Sequence, residues 1–83
     1  MIWVLEATAL PEFRLQLRFS DGSAGTISLE DFVFADTRPI VAALRDPVAF
    51  AAVRVEGDTV AWANGFDLAP EFLHAKVLGE AAA

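Results

Sequence analysis

The chain has no cysteine, a single histidine and only six basic residues among its 83. Lack of cysteine excludes disulfides and thiolate metal sites, so a small core must hold without covalent staples, and a reducing compartment is expected. The opening Met1-Ile2-Trp3-Val4-Leu5-Glu6 has neither the basic start nor the long apolar run of a signal peptide. No stretch reaches the roughly 18–20 apolar residues of a membrane-spanning helix. Glu56, Asp58 and Asp67 interrupt even the richest region. These absences lead us to expect a cytoplasmic protein with no membrane partner. Catalytic signatures are missing as well. Gly22 and Gly25 lack the strand–loop–helix setting and the lysine of a phosphate-binding loop, and there is no Gly-x-Ser-x-Gly or paired-carboxylate motif. We therefore assign no catalytic, cofactor-binding or metal-binding residue and expect no enzyme and no cofactor.

Apolar residues make up 55% of the chain, but sixteen of them are alanine, which leaves 30 larger apolar side chains. That suffices for one core with a surplus along an edge or face, and a chain this short holds one domain. The surplus makes a homodimer or a lasting partner the expectation. Net charge is −6, from twelve acidic and six basic residues. Such a surface repels duplex DNA unless its few cations cluster, and only Arg14 and Arg18 share an obvious face. Nucleic-acid binding by this domain alone is not expected. A basic protein partner suits the charge better, because attraction speeds encounter.

The clearest periodicity is Phe13-Arg14-Leu15-Gln16-Leu17-Arg18-Phe19, with apolar and polar residues strictly alternating. It predicts an antiparallel strand with one buried face and an exposed strip of Arg14, Gln16 and Arg18. Ile2 to Ala9 reads as the preceding strand, set off by Pro11-Glu12. Ser20-Asp21-Gly22-Ser23 reads as a turn, and Ala24 to Leu29 as a third strand with Ile27 and Leu29 on one face. Between Glu30 and Phe50 the alternation stops. Leu29-Glu30-Asp31-Phe32 reads as a turn or short helical piece, and Pro39 as the start of a helix striped by Ile40, Val41 and Leu44. Asp46-Pro47 signals a capped turn through Phe50. Val53-Arg54-Val55 and Thr59-Val60-Ala61-Trp62 flank Glu56-Gly57-Asp58 as a hairpin, with Val53, Val55, Val60 and Trp62 on one face.

The densest local chemistry lies in Trp62-Ala63-Asn64-Gly65-Phe66-Asp67-Leu68-Ala69-Pro70-Glu71. Trp62 reads as a core anchor, Asn64-Gly65 as a turn, Asp67 as a helix cap and Pro70 as a first-turn proline. The following helix places Leu68, Phe72 and Ala75 on one face with Leu73 and Val77 beside it. It is expected to stop at Gly79, so that residues 1–79 form the domain and residues 80–83 a frayed tail. His74 falls off that apolar face and is expected in solvent with no second ligand or nucleophile nearby. The expected architecture is α+β: a small antiparallel sheet, made of a three-stranded meander plus a C-terminal hairpin, packed with short helices and a C-terminal helix.

Phe19-Ser20-Asp21-Gly22, Leu29-Glu30-Asp31, Leu44-Arg45-Asp46 and above all Trp62-Ala63-Asn64-Gly65-Phe66-Asp67-Leu68-Ala69-Pro70-Glu71 resemble a small bacterial family, domain of unknown function 2442. The resemblance runs to about Leu78. It implies a compact α+β fold with an antiparallel sheet. It also implies a small partner, domain of unknown function 4160, encoded alongside as a proposed toxin–antitoxin pair. Some relatives carry a helix-turn-helix domain after this one; this chain ends at Ala83, so DNA binding is not carried over. The resemblance supplies no catalytic residues. Two functions are therefore expected to compete: a non-enzymatic interaction module, antitoxin-like towards a small basic protein, or a regulatory domain sensing a ligand around Trp62 to Asp67 without its DNA-binding half. A hydrolase using Asp67 and His74 is the third and weakest.

Overall fold

The computed structural model describes residues 1–82, with side-chain surroundings through Gly79. Two three-stranded antiparallel sheets and four short helices share one core, confirming the α+β expectation. Sheet A is a meander of β1 (Val4–Leu10), β2 (Arg14–Phe19) and β3 (Ala24–Ser28). The alternation of β2 is realised: Leu15, Leu17 and Phe19 are fully covered, while Gln16 and Arg18 are exposed. Register places Leu15 opposite Ala9 and Ile27, and Leu17 opposite Ala7 and Gly25. Slipping one residue would turn the whole leucine set outward, so burial fixes this pairing.

The β1–β2 connection, Pro11-Glu12-Phe13, contains no glycine, yet Glu12 and Phe13 have φ of +66° and +59°. A bulky residue in the left-handed region costs on the order of 1–3 kcal/mol. Phe13 is held there by edge-to-face contacts with Phe34 and Phe50 at 5.2 and 5.3 Å, and by its carbonyl, which accepts from Leu29 N at 2.8 Å.

Helix α1 (Glu30–Ala35) starts with Glu30 and Asp31, whose charges suit the positive end of the helix. Its far end is closed from a distance. Arg45 donates to the carbonyls of Val33, Phe34 and Asp36 at 3.1–3.3 Å, so this cation is spent on main-chain acceptors. Helix α2 (Pro39–Ala42), a 3-10 turn (Ala43–Arg45) and helix α3 (Pro47–Ala51) follow. Pro39 and Pro47 each stand at a helix start, and the Asp46 carboxylate caps α3 by accepting from Val48 N at 3.0 Å. Both starts are as expected, but the stripe of Ile40, Val41 and Leu44 is not one helical face: Ile40 is exposed, and Leu44 is buried from the 3-10 turn.

Sheet B comprises β4 (Arg54–Glu56), β5 (Thr59–Ala61) and β6 (Asp67–Leu68). The hairpin of β4 and β5 is as expected. Val60 and Trp62 are buried and Val53 partly so, but Val55 lies 36% exposed at the outer strand. The third strand is new. Leu68 pairs with Val60 and Asp67 with Ala61, so the region read as helix entry is sheet. The sheets meet along β1, where Val4 N donates to Asp58 O at 2.9 Å.

Helix α4 (Pro70–Ala82) lies on β3. Its buried face is Leu73 and Val77, not Leu68, Phe72 and Ala75: Phe72 is 39% exposed and Ala75 is on the surface. The strand β6 takes Leu68 out of the helix, and the contact with β3 then selects the i, i+4 pair that can reach it. Gly25 makes that approach fit, since a Cβ there would stand 2.9 Å from a Val77 methyl. The helix continues through Gly79 to Ala82, so the expected stop at Gly79 is not observed. The side chains of the tail assigned to residues 80–83 lie outside those described.

Candidate interaction surfaces

The junction from Trp62 to Leu68 is built by side chains that reach back to the helices. Trp62 is 2% exposed, and its Nε1 donates to Phe50 O at 2.9 Å, tying β5 to the end of α3. It is the anchor expected, and the little of its ring that is not covered lines a hollow beside α3. Gly65 N donates to Trp62 O at 3.0 Å and Trp62 N to Phe66 O at 2.9 Å, closing a three-residue loop. Only Gly65 has positive φ (+91°), as in a turn that ends in a left-handed residue. The Asn-Gly turn is therefore present, but Asn64 serves it through its side chain. Asn64 Oδ1 accepts from Phe66 N at 3.0 Å, and Asn64 Nδ2 donates to Ile40 O at 2.9 Å. One amide thus holds the loop and fastens it to α2. Phe66 stacks on Phe32 at 6.2 Å and carries the Arg38 guanidinium over its ring at 5.7 Å. Thr59 Oγ1 donates to Leu68 O, fixing β6 to β5 a second time.

Asp67 does not cap the helix. It is an exposed residue of β6, its carboxylate makes no hydrogen bond to α4, and α4 begins three residues later at Pro70. The pairing of β6 with β5 displaces the helix start and removes the geometry a cap requires. Aspartate is a poor strand former, and nothing in the structure explains its presence here.

His74 is another correction. Its side chain is 15% exposed, with Nε2 2.9 Å from Asp21 Oδ2 and the ring edge-on to Phe19 at 5.1 Å. The contact joins α4 to the β2–β3 turn across 53 residues of sequence, a distance no local pattern reveals. Asp21 also accepts from the Ser23 hydroxyl at 2.6 Å and the Ser23 N–H at 2.9 Å. Those two bonds first, and His74 after them, hold its carboxyl down at about 2. His74 is thus engaged by Asp21 and not by Asp67, and neither His74 nor Asp67 lines any of the three surface hollows described.

Charge is distributed unevenly. Arg18 pairs with Glu6 at 2.6 Å, Arg54 with Glu56, and Arg38 with Asp36 at 2.7 Å. The Arg38 bonds push the Asp36 carboxyl below its usual range. Arg45 is occupied by carbonyls, and Arg14 Nε donates to Pro11 O at 3.0 Å. Among the described residues, Glu12, Glu30, Asp31, Asp58, Asp67 and Glu71 have no hydrogen-bonded or ion-paired side-chain partner. No three of the described His, Asp and Glu residues converge in a way that could hold a metal ion. Of the expected strip, Gln16 and Arg18 are exposed and Arg14 is half-buried, and both cations are engaged, Arg14 by the β1–β2 connection and Arg18 by Glu6 on β1.

Apart from the Trp62 indole N–H, which is bonded to Phe50 O, the buried side chains among the described residues are apolar. The fold is that of a small α+β domain, two three-stranded antiparallel sheets with short helices and a C-terminal helix. The chain belongs to the family described as protein of unknown function DUF2442, whose model matches residues 4–78. No curated protein matches it. A protein of Nitrosomonas europaea ATCC 19718, whose crystal structure is described as that of a candidate DNA-binding protein, shares the fold. Its TM-score is 0.80 over 99% of this chain, at 24% sequence identity. This chain spans about half of that protein, 52% of its length. No helix among the described residues is long and apolar enough to cross a membrane.

Proposed function

We propose that the domain is a non-enzymatic interaction module of the cytoplasm whose partner is a small basic protein, towards which it acts as an antitoxin does. The observation that carries this reading is the set of six carboxylates left without partners while most arginines are already engaged. A surface in that state has charge to offer a cationic partner and few cations to offer a phosphate backbone. The tagged protein, purified from its host at native abundance, is expected to bring down a small basic protein identified by mass spectrometry. Retention should fall as salt rises, because exposed charge pairs are screened. Recovery of the protein alone would refute the reading. Duplex DNA titrated at low salt is expected to give no saturable binding.

A second reading is favoured by one finding. The similar protein of Nitrosomonas europaea is about twice as long and is described as a candidate DNA-binding protein. By analogy this domain would be the regulatory half of such a protein, sensing a ligand. A thermal-shift screen separates the two, since a ligand of the native state raises the melting temperature.

A further inference from the structure

Helix α3 forms an apolar ridge with a hollow on each side. Its short length puts Phe50 inward, 2% exposed, and Val48 on the opposite side, 79% exposed. Pro47 and Ala51 flank one side of the ridge. With Leu10, Pro11 and Phe13 they line a hollow of about 220 Å³. Ala49 and Ala52 flank the other side and, with Ala43, Leu44 and Trp62, line a hollow of about 180 Å³. Pockets for small-molecule ligands run from about 300 to 1,000 Å³, so these two are sized for protein side chains.

This face carries few charges. From Ala43 to Val53 the only charged residues are Arg45 and Asp46. Arg45 is spent on the carbonyls closing α1, and Asp46 on the cap of α3. Glu12 is the one unpartnered carboxylate lining either hollow. Two copies of a chain with net charge −6 repel each other wherever free carboxylates would meet, and this face nearly avoids that cost. A basic partner gains nothing from an uncharged ridge. A knob between two holes, in contrast, is self-complementary under a twofold axis: each copy's knob can enter the other's hole.

We infer that the α3 ridge is the contact face of a homodimer, with Val48 of each copy seated in a hollow beside the other copy's α3. Apart from Glu12, the carboxylates assigned to the basic partner do not line these hollows, and the inference does not depend on that assignment. Sedimentation velocity on the full chain, over micromolar to millimolar concentration, tests it with Val48→Glu, Ala52→Glu and Leu78→Glu. Leu78 is 51% exposed on α4 and serves as the control. The wild type and Leu78→Glu are expected to dimerise. Val48→Glu and Ala52→Glu should weaken association by at least about a hundredfold, because each buries an unpaired charge. Circular-dichroism melting should show both folded, as expected for exposed positions; should either variant unfold, the other decides. A wild type that stays monomeric overturns the inference. So does a dimer that survives the folded ridge variants, or one that Leu78→Glu disrupts as strongly.

Discussion

Sheets A and B have the same number of strands and the same antiparallel order, but strands of seven, six and five residues form one, and strands of three, three and two the other. Sheet A is held by its own pattern. Alternating residues on β2 meet β1 and β3 in a register that burial enforces. Sheet B is too short to be held that way, because strands of two or three residues pair too few groups to fix themselves. Its strength comes from side chains bonded to backbone outside their own strand: Trp62 to Phe50, Asn64 to Ile40 and, across to β6, Thr59 to Leu68. One sheet is stabilised by repetition, and the other by two anchors to helices elsewhere in the chain and one side-chain bond across its own strands. Damage to single residues should therefore be tolerated differently in the two.

The sharpest way to break sheet B is Trp62→Ala. It empties a buried aromatic site and leaves the Phe50 carbonyl without its donor, and should cost about 3–5 kcal/mol. Trp62→Phe keeps most of the packing and should lose only about 1–2 kcal/mol, the share of the hydrogen bond. Urea unfolding of both variants separates the anchor from the volume. A loss for Trp62→Phe as large as for Trp62→Ala would mean that the bond dominates.

In sheet A the vulnerable position is where the helix meets the strand. Gly25→Ala puts a methyl 2.9 Å from Val77 and should destabilise by about 1–3 kcal/mol. Gly25→Ala combined with Val77→Ala makes room for the methyl, and part of that loss should return. If the double variant is no better than the sum of the singles, packing of α4 on β3 is not what Gly25 serves.

Asn64→Ala should cost about 1–2 kcal/mol, since it removes the loop's bond to Ile40 and the acceptor for Phe66 N together. Asn64→Asp keeps the acceptor but not the donor, and is expected to fall between Asn64→Ala and the wild type. Sheet A has a bond of similar reach in His74 to Asp21, and acid tests it. The Asp21 carboxyl is depressed to about 2 from an ordinary 3.8. Its stabilising contribution is therefore complete above about pH 4 and is lost as pH falls towards 2. Asp21→Asn should flatten that part of the curve of stability against pH, by less than Asn64→Ala costs, because both ends of the pair reach solvent.

What could be read in the sequence follows the same division. The alternation of β2, the prolines at Pro39, Pro47 and Pro70 and the Asp46 cap are local, and the structure places them as expected. Trp62 as anchor was legible from its apolar setting, although its partner Phe50 was not. The strand β6 was hidden because two residues carry no period, and its partner Val60 lies beyond a loop. The left-handed Glu12 and Phe13 were hidden because no glycine marks them, their strain being offset by Phe34, Phe50 and Leu29. His74 and the burial face of α4 depended on where β3 lies, which no spacing within the helix encodes.

Asp67 should give the smallest effect and the most specific one. As a helix cap it would contribute about 0.5–2 kcal/mol, lost in Asp67→Ala. As an exposed strand residue without a bond it should change stability by no more than about 0.5 kcal/mol, and Asp67→Thr could raise it, since threonine suits a strand. Thermal and urea unfolding would measure both. A loss above 1 kcal/mol for Asp67→Ala would return the residue to the helix terminus and remove β6 from the solution structure. Unchanged stability together with weaker retention of the basic partner would instead place the Asp67 carboxylate in that interface. The unpaired charge would then have its reason in binding, since the fold makes no use of it.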